Sequence, residues 1–411
     1  VKDLVGVIFF VVFLIAIAFL NLGVALFIYA LLVVIMIHEL GHLSVAKWFD
    51  FKAPQYFLGF GPTLWSTTRG ETEYGIKAIP AGGFVKILGM SPYEEIDPED
   101  EPRSYPNKPR WQRAILLVAG SATHWVVAFI LLLIVAMGFG FPTATNQIGR
   151  VVPVEELGIE TAALQAGLRE GDRIVAVGGQ PTTDWSEIVA YIEERGNEYG
   201  TFTIEPERGP TIEKRILIGE IVTKDGLPVD AAAPGEEVRV PREGEKAAGF
   251  LGVSPEQPVQ RTGPIEGIKF AGTTVGEFTV RSVTSLPDVF APVFNGDLWR
   301  SLSEDGERDA EGAVGLVGAG RVAGAAVEAG MYAELLSFIA GLTIFIGLMN
   351  LLPLPPLDGG HLAVLAIEKI TGKAVDVKKL IPVAAVVIAF FLVLFFAVLY
   401  LDLARPIKTP F

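Results

Sequence analysis

Long uncharged stretches alternate with charged ones along this 411-residue chain, and four of the apolar stretches can cross a bilayer: Leu4 to about Ala46, Ala114 to Met137, Leu335 to Leu352 and Leu380 to Leu401. The first contains 34 uncharged residues, Leu4 to Ile37. As one helix that run would be about 51 Å long at about 1.5 Å per residue, against a hydrocarbon core of about 30 Å. It must tilt, kink near Asn21-Leu22-Gly23 or project beyond the bilayer. After it, Tyr56 to Trp65 and Tyr74 to Leu88 are short β-prone runs around the charged turn Arg69-Gly70-Glu71, which predicts hairpin strands dipping toward the membrane. Glu94 to Glu101, with Pro92, Pro98 and Pro102, predicts a solvated acidic linker. Between the second and third spans lies a long charged section, β-like at Gln147 to Pro153. Toward its end, Ile265 to Leu286 has an amphipathic helical pattern that suits the membrane surface, and Ser301 to Glu311 is polar.

Composition sharpens this picture. A hydrophobic content of 51% and a mean hydropathy of +0.45 exceed those of an ordinary soluble protein of this length, so the chain is an integral membrane protein with a water-exposed domain. A net charge of −14 without a basic cluster argues against a nucleic-acid partner. With no cysteine, any metal must be held by His, Asp or Glu. Lys47, Lys52, Arg69, Lys77, Lys86, Arg103, Lys108 and Arg110 separate the first two spans, and Lys369, Lys373, Lys378 and Lys379 the last two. Both segments are expected to be cytoplasmic, with about Phe139 to Ala333 on the other side.

The chemistry-bearing motif ends the first apolar run: His38-Glu39-Leu40-Gly41-His42. Histidines four apart share one face of a helix, where both imidazoles can bind one metal while Glu39 lies beside the attacking water. A hydrolytic zinc usually takes three protein ligands, so a further carboxylate or histidine at similar depth is required. Asp358 is the best candidate, within Asn350-Leu351-Leu352-Pro353-Leu354-Pro355-Pro356-Leu357-Asp358-Gly359-Gly360-His361. Three prolines end the helix there, and Gly359-Gly360 permits a tight turn around Asp358. Unwound backbone at membrane depth requires protein cover or a water-filled cavity, and hydrolysis needs water.

Two resemblances extend the reading. Ala162 to Pro181, a short helix, the turn Gly171-Asp172 and a strand, resembles a bacterial, permuted PDZ domain. Trp185 to Arg195 would be its second helix, Phe250-Leu251-Gly252-Val253 a strand at its peptide groove, and Lys224 to Glu245 a flexible insertion. The chain as a whole resembles the site-2 proteases, intramembrane zinc metalloproteases, of the bacterial type with one PDZ domain. The match rests on the HExxH helix, Gly82-Gly83-Phe84-Val85-Lys86, Gly312-Ala313-Val314-Gly315-Leu316 and Asn-x-x-Pro-x-Pro-x-Leu-Asp-Gly from Asn350. It implies a polytopic α-helical membrane protein with about four transmembrane helices, a membrane-associated β-hairpin loop and an inserted extracytoplasmic PDZ domain. The expected division is residues 1–46, first span; 47–112, β-loop and linker; 113–138, second span; 139–256, PDZ domain; 257–333, membrane-proximal region; 334–379, third span and Asp358 motif; and 380–411, fourth span.

By the same resemblance His38, His42 and Asp358 bind Zn2+, Glu39 is the general base and Asn350 holds the substrate backbone. The β-loop would offer an edge strand, about Tyr74 to Ile79 or Phe84 to Leu88, to the unwound substrate. One element departs from the family: where Gly-x-x-x-Asn is common, Gly120 leads to His124. His124 is read as a hydrogen-bond donor to substrate or a developing oxyanion, with a helix contact and a fourth metal ligand as alternatives.

Three function classes follow. The first is a plasma-membrane protease that cuts transmembrane segments of single-span proteins after an earlier cleavage, anti-sigma factors or remnant signal peptides by family resemblance, with its site toward the cytoplasm. The second is a membrane-tethered PDZ receptor with a vestigial metal site; retention of Glu39 with all three ligands argues against it. A metal transporter would need polar ligands along several spans, which are nearly free of charge.

Overall fold

In the computed structural model the long first apolar run is two helices, α1 (Lys2–Leu20) and α2 (Leu22–Trp48), separated by Asn21. The Asn21 side chain caps α2 by accepting the Val24 N–H at 2.9 Å. Beyond this break the chain reverses: the Tyr29 hydroxyl of α2 donates to the Leu14 carbonyl of α1. Of the three ways to accommodate the run, a break at Asn21 is the one the protein uses. The structure describes residues 2–91, 93–224, 227–236, 238–242, 245–302, 315–373 and 375–406. It divides into two units, Val1–Phe139 with Thr262–Phe411, and Gly140–Arg261.

In the first unit, α2 leads into the antiparallel strands β1 (Gln55–Arg69) and β2 (Thr72–Lys86). β1 bends, so that residues 55–58 lie between residues 73–76 and 83–86, while residues 63–69 pair with 72–77. That leaves residues 83–86 as a sheet edge, and this edge packs on α2: Tyr56 donates to the Met36 carbonyl at 2.6 Å, and a Cβ on Gly83 would come within 2.7 Å of the Met36 sulfur. The hairpin turn is clasped by Arg103, whose guanidinium gives Glu71 two bonds of 2.7 Å and Asp50 one of 2.8 Å. α3 (Arg110–Ile134) follows Pro109 and ends in a π-helical turn, Val135–Phe139.

The second unit is an α/β module. It contains β3 (Phe141–Pro142), β4 (Ile148–Val151), α4 (Val154–Leu157), α5 (Ala162–Gln165), β5 (Arg173–Val177), β6 (Gln180–Pro181), α6 (Trp185–Glu193), β7 (Tyr199–Glu205), β8 (Ile212–Leu217), β9 (Gly219–Lys224), β10 (Leu227–Ala232), β11 (Glu245–Phe250), β12 (Val253–Pro255) and β13 (Val259–Gln260). A four-stranded sheet, β6-β5-β7-β8, buries alternate residues such as Phe202 and Ile204 against Ile174, Ile188 and Ile218. Within the expected flexible insertion, residues 227–232 form a strand, β10, which pairs with β9 opposite β11. The insertion's Pro, Gly and Glu content suggested disorder, but the backbone pairing does not depend on an alternating side-chain pattern.

Returning to the first unit, the chain forms α7 (Pro264–Phe294), α8 (Asp297–Ser301), α9 (Leu316–Glu328), α10 (Tyr332–Asn350), α11 (Asp358–Thr371) and α12 (Ile381–Ala404). α7 does not ride on a surface. A Cβ on Gly267 would meet Met137 of the π-helical turn at 3.0 Å, and Trp125 of α3 donates to Thr279 at 3.0 Å, so α7 follows α3 for about 18 Å. Gly267, Ala271, Val275 and Phe278 recur at helical spacing and pack on α3 and α10, which the amphipathic reading missed. Residues 303–314, including most of the Ser301 to Glu311 stretch and of Gly312-Ala313-Val314-Gly315-Leu316, lie outside the described residues. Among those described, four helices are long and apolar enough to span a membrane: Leu22–Trp48, Arg110–Phe139, Tyr332–Asn350 and Lys378–Ala404.

Candidate metal centre

The HExxH spacing puts His38 and His42 on one face of α2, and both are 8% exposed. Asp358 reaches them from the first turn of α11. α10 stops at Asn350, and the proline-rich segment folds back so tightly that a Cβ on Gly359 would lie 2.1 Å from the Leu351 carbonyl oxygen and one on Gly360 2.6 Å from the Pro355 nitrogen. Only glycine fits these two positions, and Asp358 is thereby turned inward. On the far end of α11, Glu368 is buried and receives Arg113 of α3 at 3.0 Å, which ties the helix carrying Asp358 to α3.

These elements bring three donor atoms together. His38 Nε2 and His42 Nε2 are 3.1 Å apart, and each lies 3.3 Å from Asp358 Oδ2. Donors around a tetrahedral zinc at about 2.0–2.1 Å are roughly 3.3–3.4 Å from one another, so the set fits three corners and leaves a fourth for water. Hydrogen bonding agrees. His42 donates its Nδ1–H to the Leu116 carbonyl at 2.8 Å, which leaves its Nε2 as a lone pair facing His38. Asp358 Oδ2 is buried and has no hydrogen-bond donor. Once all three atoms are deprotonated, as metal ligation requires, their converging lone pairs are repulsive unless a cation sits among them.

Close helix contacts made by glycine allow this convergence. A Cβ on Gly41 would lie 2.6 Å from the Ala119 carbonyl oxygen, and one on Gly120 2.2 Å from His42 Nε2. Beside the cluster, Glu39 Oε2 accepts the backbone N–H of Val85 at 2.8 Å. Of the two candidate edge segments, Phe84 to Leu88 is thus the one whose amide reaches the motif. HExxH holds no signal for that contact, which forms only when β2 packs on α2.

The remaining expected residues differ in their surroundings. Asn350 is the half-buried last residue of α10, and no hydrogen bond holds its side chain among the described residues. His124, read as a donor to substrate or a developing oxyanion with a helix contact and a fourth metal ligand as alternatives, is 1% exposed with both ring nitrogens engaged, Nε2 at 3.1 Å from His38 Nδ1 and Nδ1 at 2.7 Å from Thr343 Oγ1. The fourth histidine, His361, lines a separate, largely apolar cavity with Pro355 and Ile381.

Comparison with known proteins agrees with this chemistry. The model of Peptidase family M50 matches residues 26–394. The chain is 34% identical to the zinc metalloprotease Rip1 of Mycolicibacterium smegmatis over 94% of this chain and 98% of the relative, and 32% identical to Rip1 of Mycobacterium tuberculosis at the same coverage. With four helices suited to spanning a membrane and a donor set suited to zinc, the chain belongs to peptidase family M50, the site-2 proteases, and is a multi-pass zinc metalloprotease.

Proposed function

We propose that the protein hydrolyses peptide bonds within transmembrane segments of single-span membrane proteins, after an earlier cut has removed their outer domain. The carrying observation is the orphaned Asp358 Oδ2 beside two inward-facing imidazole nitrogens, next to Glu39 on a membrane-spanning helix. His38, His42 and Asp358 hold Zn2+ and Glu39 is the general base. When bound, zinc supplies Lewis acidity that polarises the scissile carbonyl and acidifies a water. Glu39 takes a proton from the attacking water and passes it to the leaving amide nitrogen. Asn350, with its side chain free of hydrogen bonds among the described residues, binds the unwound substrate backbone.

A helical substrate hides its carbonyls and must unwind, and its freed amides need partners in a dry setting. The sheet edge at residues 83–86 supplies them by strand addition, and its Val85 N–H on Glu39 supports that location. The basic segments between spans support a site toward the cytoplasm, with the Gly140–Arg261 unit on the opposite side. That unit is a PDZ domain. A groove of about 360 Å³ between α6 and residues 248–253, lined by Trp185, Val189, Ile192 and Phe250, supports a role in docking or selecting substrates. Anti-sigma-factor-like proteins and remnant signal peptides are the proposed substrates.

The test is Glu39→Gln, co-expressed with a tagged single-span substrate, with zinc measured in both purified proteins. Cleavage lost with zinc retained is the expected result; equal processing by both proteins would remove Glu39 from the mechanism.

A further inference from the structure

We infer that His124 is a positioning residue, itself fixed by Thr343, that sets the proton and ring plane of His38. This rests on reading His38, His42 and Asp358 as the zinc ligands. α3 serves as a template for both imidazoles. Leu116, Gly120 and His124 are spaced four apart and so form one stripe of the helix. The Leu116 carbonyl accepts His42 Nδ1–H at 2.8 Å, Gly120 leaves the space that the His42 ring occupies, and His124 Nε2 sits 3.1 Å from His38 Nδ1.

With His38 Nε2 committed to zinc as a lone pair, beside His42 Nε2 and Asp358 Oδ2, the single proton of the neutral ring is on Nδ1. That N–H donates to His124 Nε2. The proton of His124 is therefore on its own Nδ1, where it donates to Thr343 Oγ1 at 2.7 Å. His124 and Thr343 are each 1% exposed, so no solvent competes for either bond. Gly347 of α10 makes room for the ring, since a Cβ there would lie 2.9 Å from the His124 Cβ. A neutral imidazole orients His38 without adding a negative charge behind the ligand, unlike the carboxylate that often performs this task.

The experiment uses full-length protein in detergent. Zinc affinity is measured by chelator competition, together with the visible absorption of the cobalt-loaded protein, for wild type, His124→Leu, His124→Gln and Thr343→Val. The Gln carboxamide oxygen lies near the former Nε2 and can accept the His38 proton; Leu cannot. His124→Leu is expected to weaken zinc binding by about 10- to 100-fold and to shift the cobalt bands. His124→Gln is expected to stay within a few-fold of wild type, and Thr343→Val to fall between the two.

Wild-type affinity and spectrum in His124→Leu would overturn the inference, as would equal losses in His124→Leu and His124→Gln. If His124→Leu does not fold, the other two variants decide: a weakened Thr343→Val beside a retained His124→Gln supports the inference, and any other pair of results rejects it. Wild-type protein that bound no zinc would instead strike the ligand reading, before any variant is compared.

Discussion

Gly120→Ala tests how tightly the metal-binding imidazoles are held. The added methyl would lie 2.2 Å from His42 Nε2, 2.6 Å from Cε1 and 2.7 Å from Cδ2. Ordinary contacts between such atoms are about 3.5 Å, so the overlap is about 1.3 Å. The ring cannot simply turn aside, because Leu116 fixes its Nδ1 and His38 and Asp358 crowd its Nε2. Nor can α2 and α3 part freely, since the His42–Leu116 and His38–His124 hydrogen bonds tie them together. Ligand distances tolerate only about 0.2 Å, so displacement of the ring by even half the overlap disrupts the site. The expected outcome is a loss of zinc affinity of at least about tenfold and of cleavage by about 100-fold, with overpacking costing about 1–3 kcal/mol of stability. Chelator competition, cleavage of a tagged single-span substrate and thermal unfolding measure the three. Gly272→Ala on α7, where a Cβ meets nothing within 4 Å, is the control and should leave affinity and cleavage unchanged while raising stability by up to about 1 kcal/mol. Gly120→Ala with affinity and cleavage within twofold of wild type would refute the rigid packing argued here.

Other outcomes follow from single contacts. Val85→Pro deletes the N–H that Glu39 accepts while standing on a sheet edge, where proline is tolerated; cleavage should fall by about 10- to 100-fold with zinc retained, and unchanged cleavage would mean that this bond does not orient Glu39. Asp402 of α12 is buried and accepts the Gly318 N–H at 2.8 Å and the Gly315 N–H at 3.3 Å at the start of α9. Asp402→Leu should cost about 2–3 kcal/mol in thermal unfolding, with Asp402→Asn milder, and equal melting temperatures would reject the cap. On the hairpin turn, the Arg103 guanidinium holds the Glu71 carboxyl below its ordinary range. A depressed carboxylate contributes stability above its unfolded value, about 4.3, and loses it as pH falls through the folded value. Between pH 6 and 3, wild type should therefore lose thermal stability more steeply than Arg103→Met; parallel curves would discount the clasp.

The parts of the site legible in the sequence are those encoded by local spacing. His38, Glu39 and His42 declare themselves through helical periodicity, and Asp358 through prolines and glycines that bend the chain around it. The four apolar spans and the break at Asn21 were equally local. What the sequence concealed is contact between distant elements. Nothing near His124 announces that its ring meets His38 and Thr343, because those bonds depend on the mutual rotation of α2, α3 and α10. The Val85 amide is invisible for a similar reason, since every residue carries such a group. α7 misled because polar residues on one side suggested a surface helix, whereas the small residues on the other side seat it against α3.

The donors also differ in when they are made. His38 and His42 leave the ribosome with α2, long before Asp358, which comes only after the third span and its proline-rich turn. On the proposed ligand set, the chain during synthesis carries both ligating imidazoles and Glu39 but no third ligand until Asp358 is made. By the same proposal, a product truncated before residue 358 cannot complete the metal site.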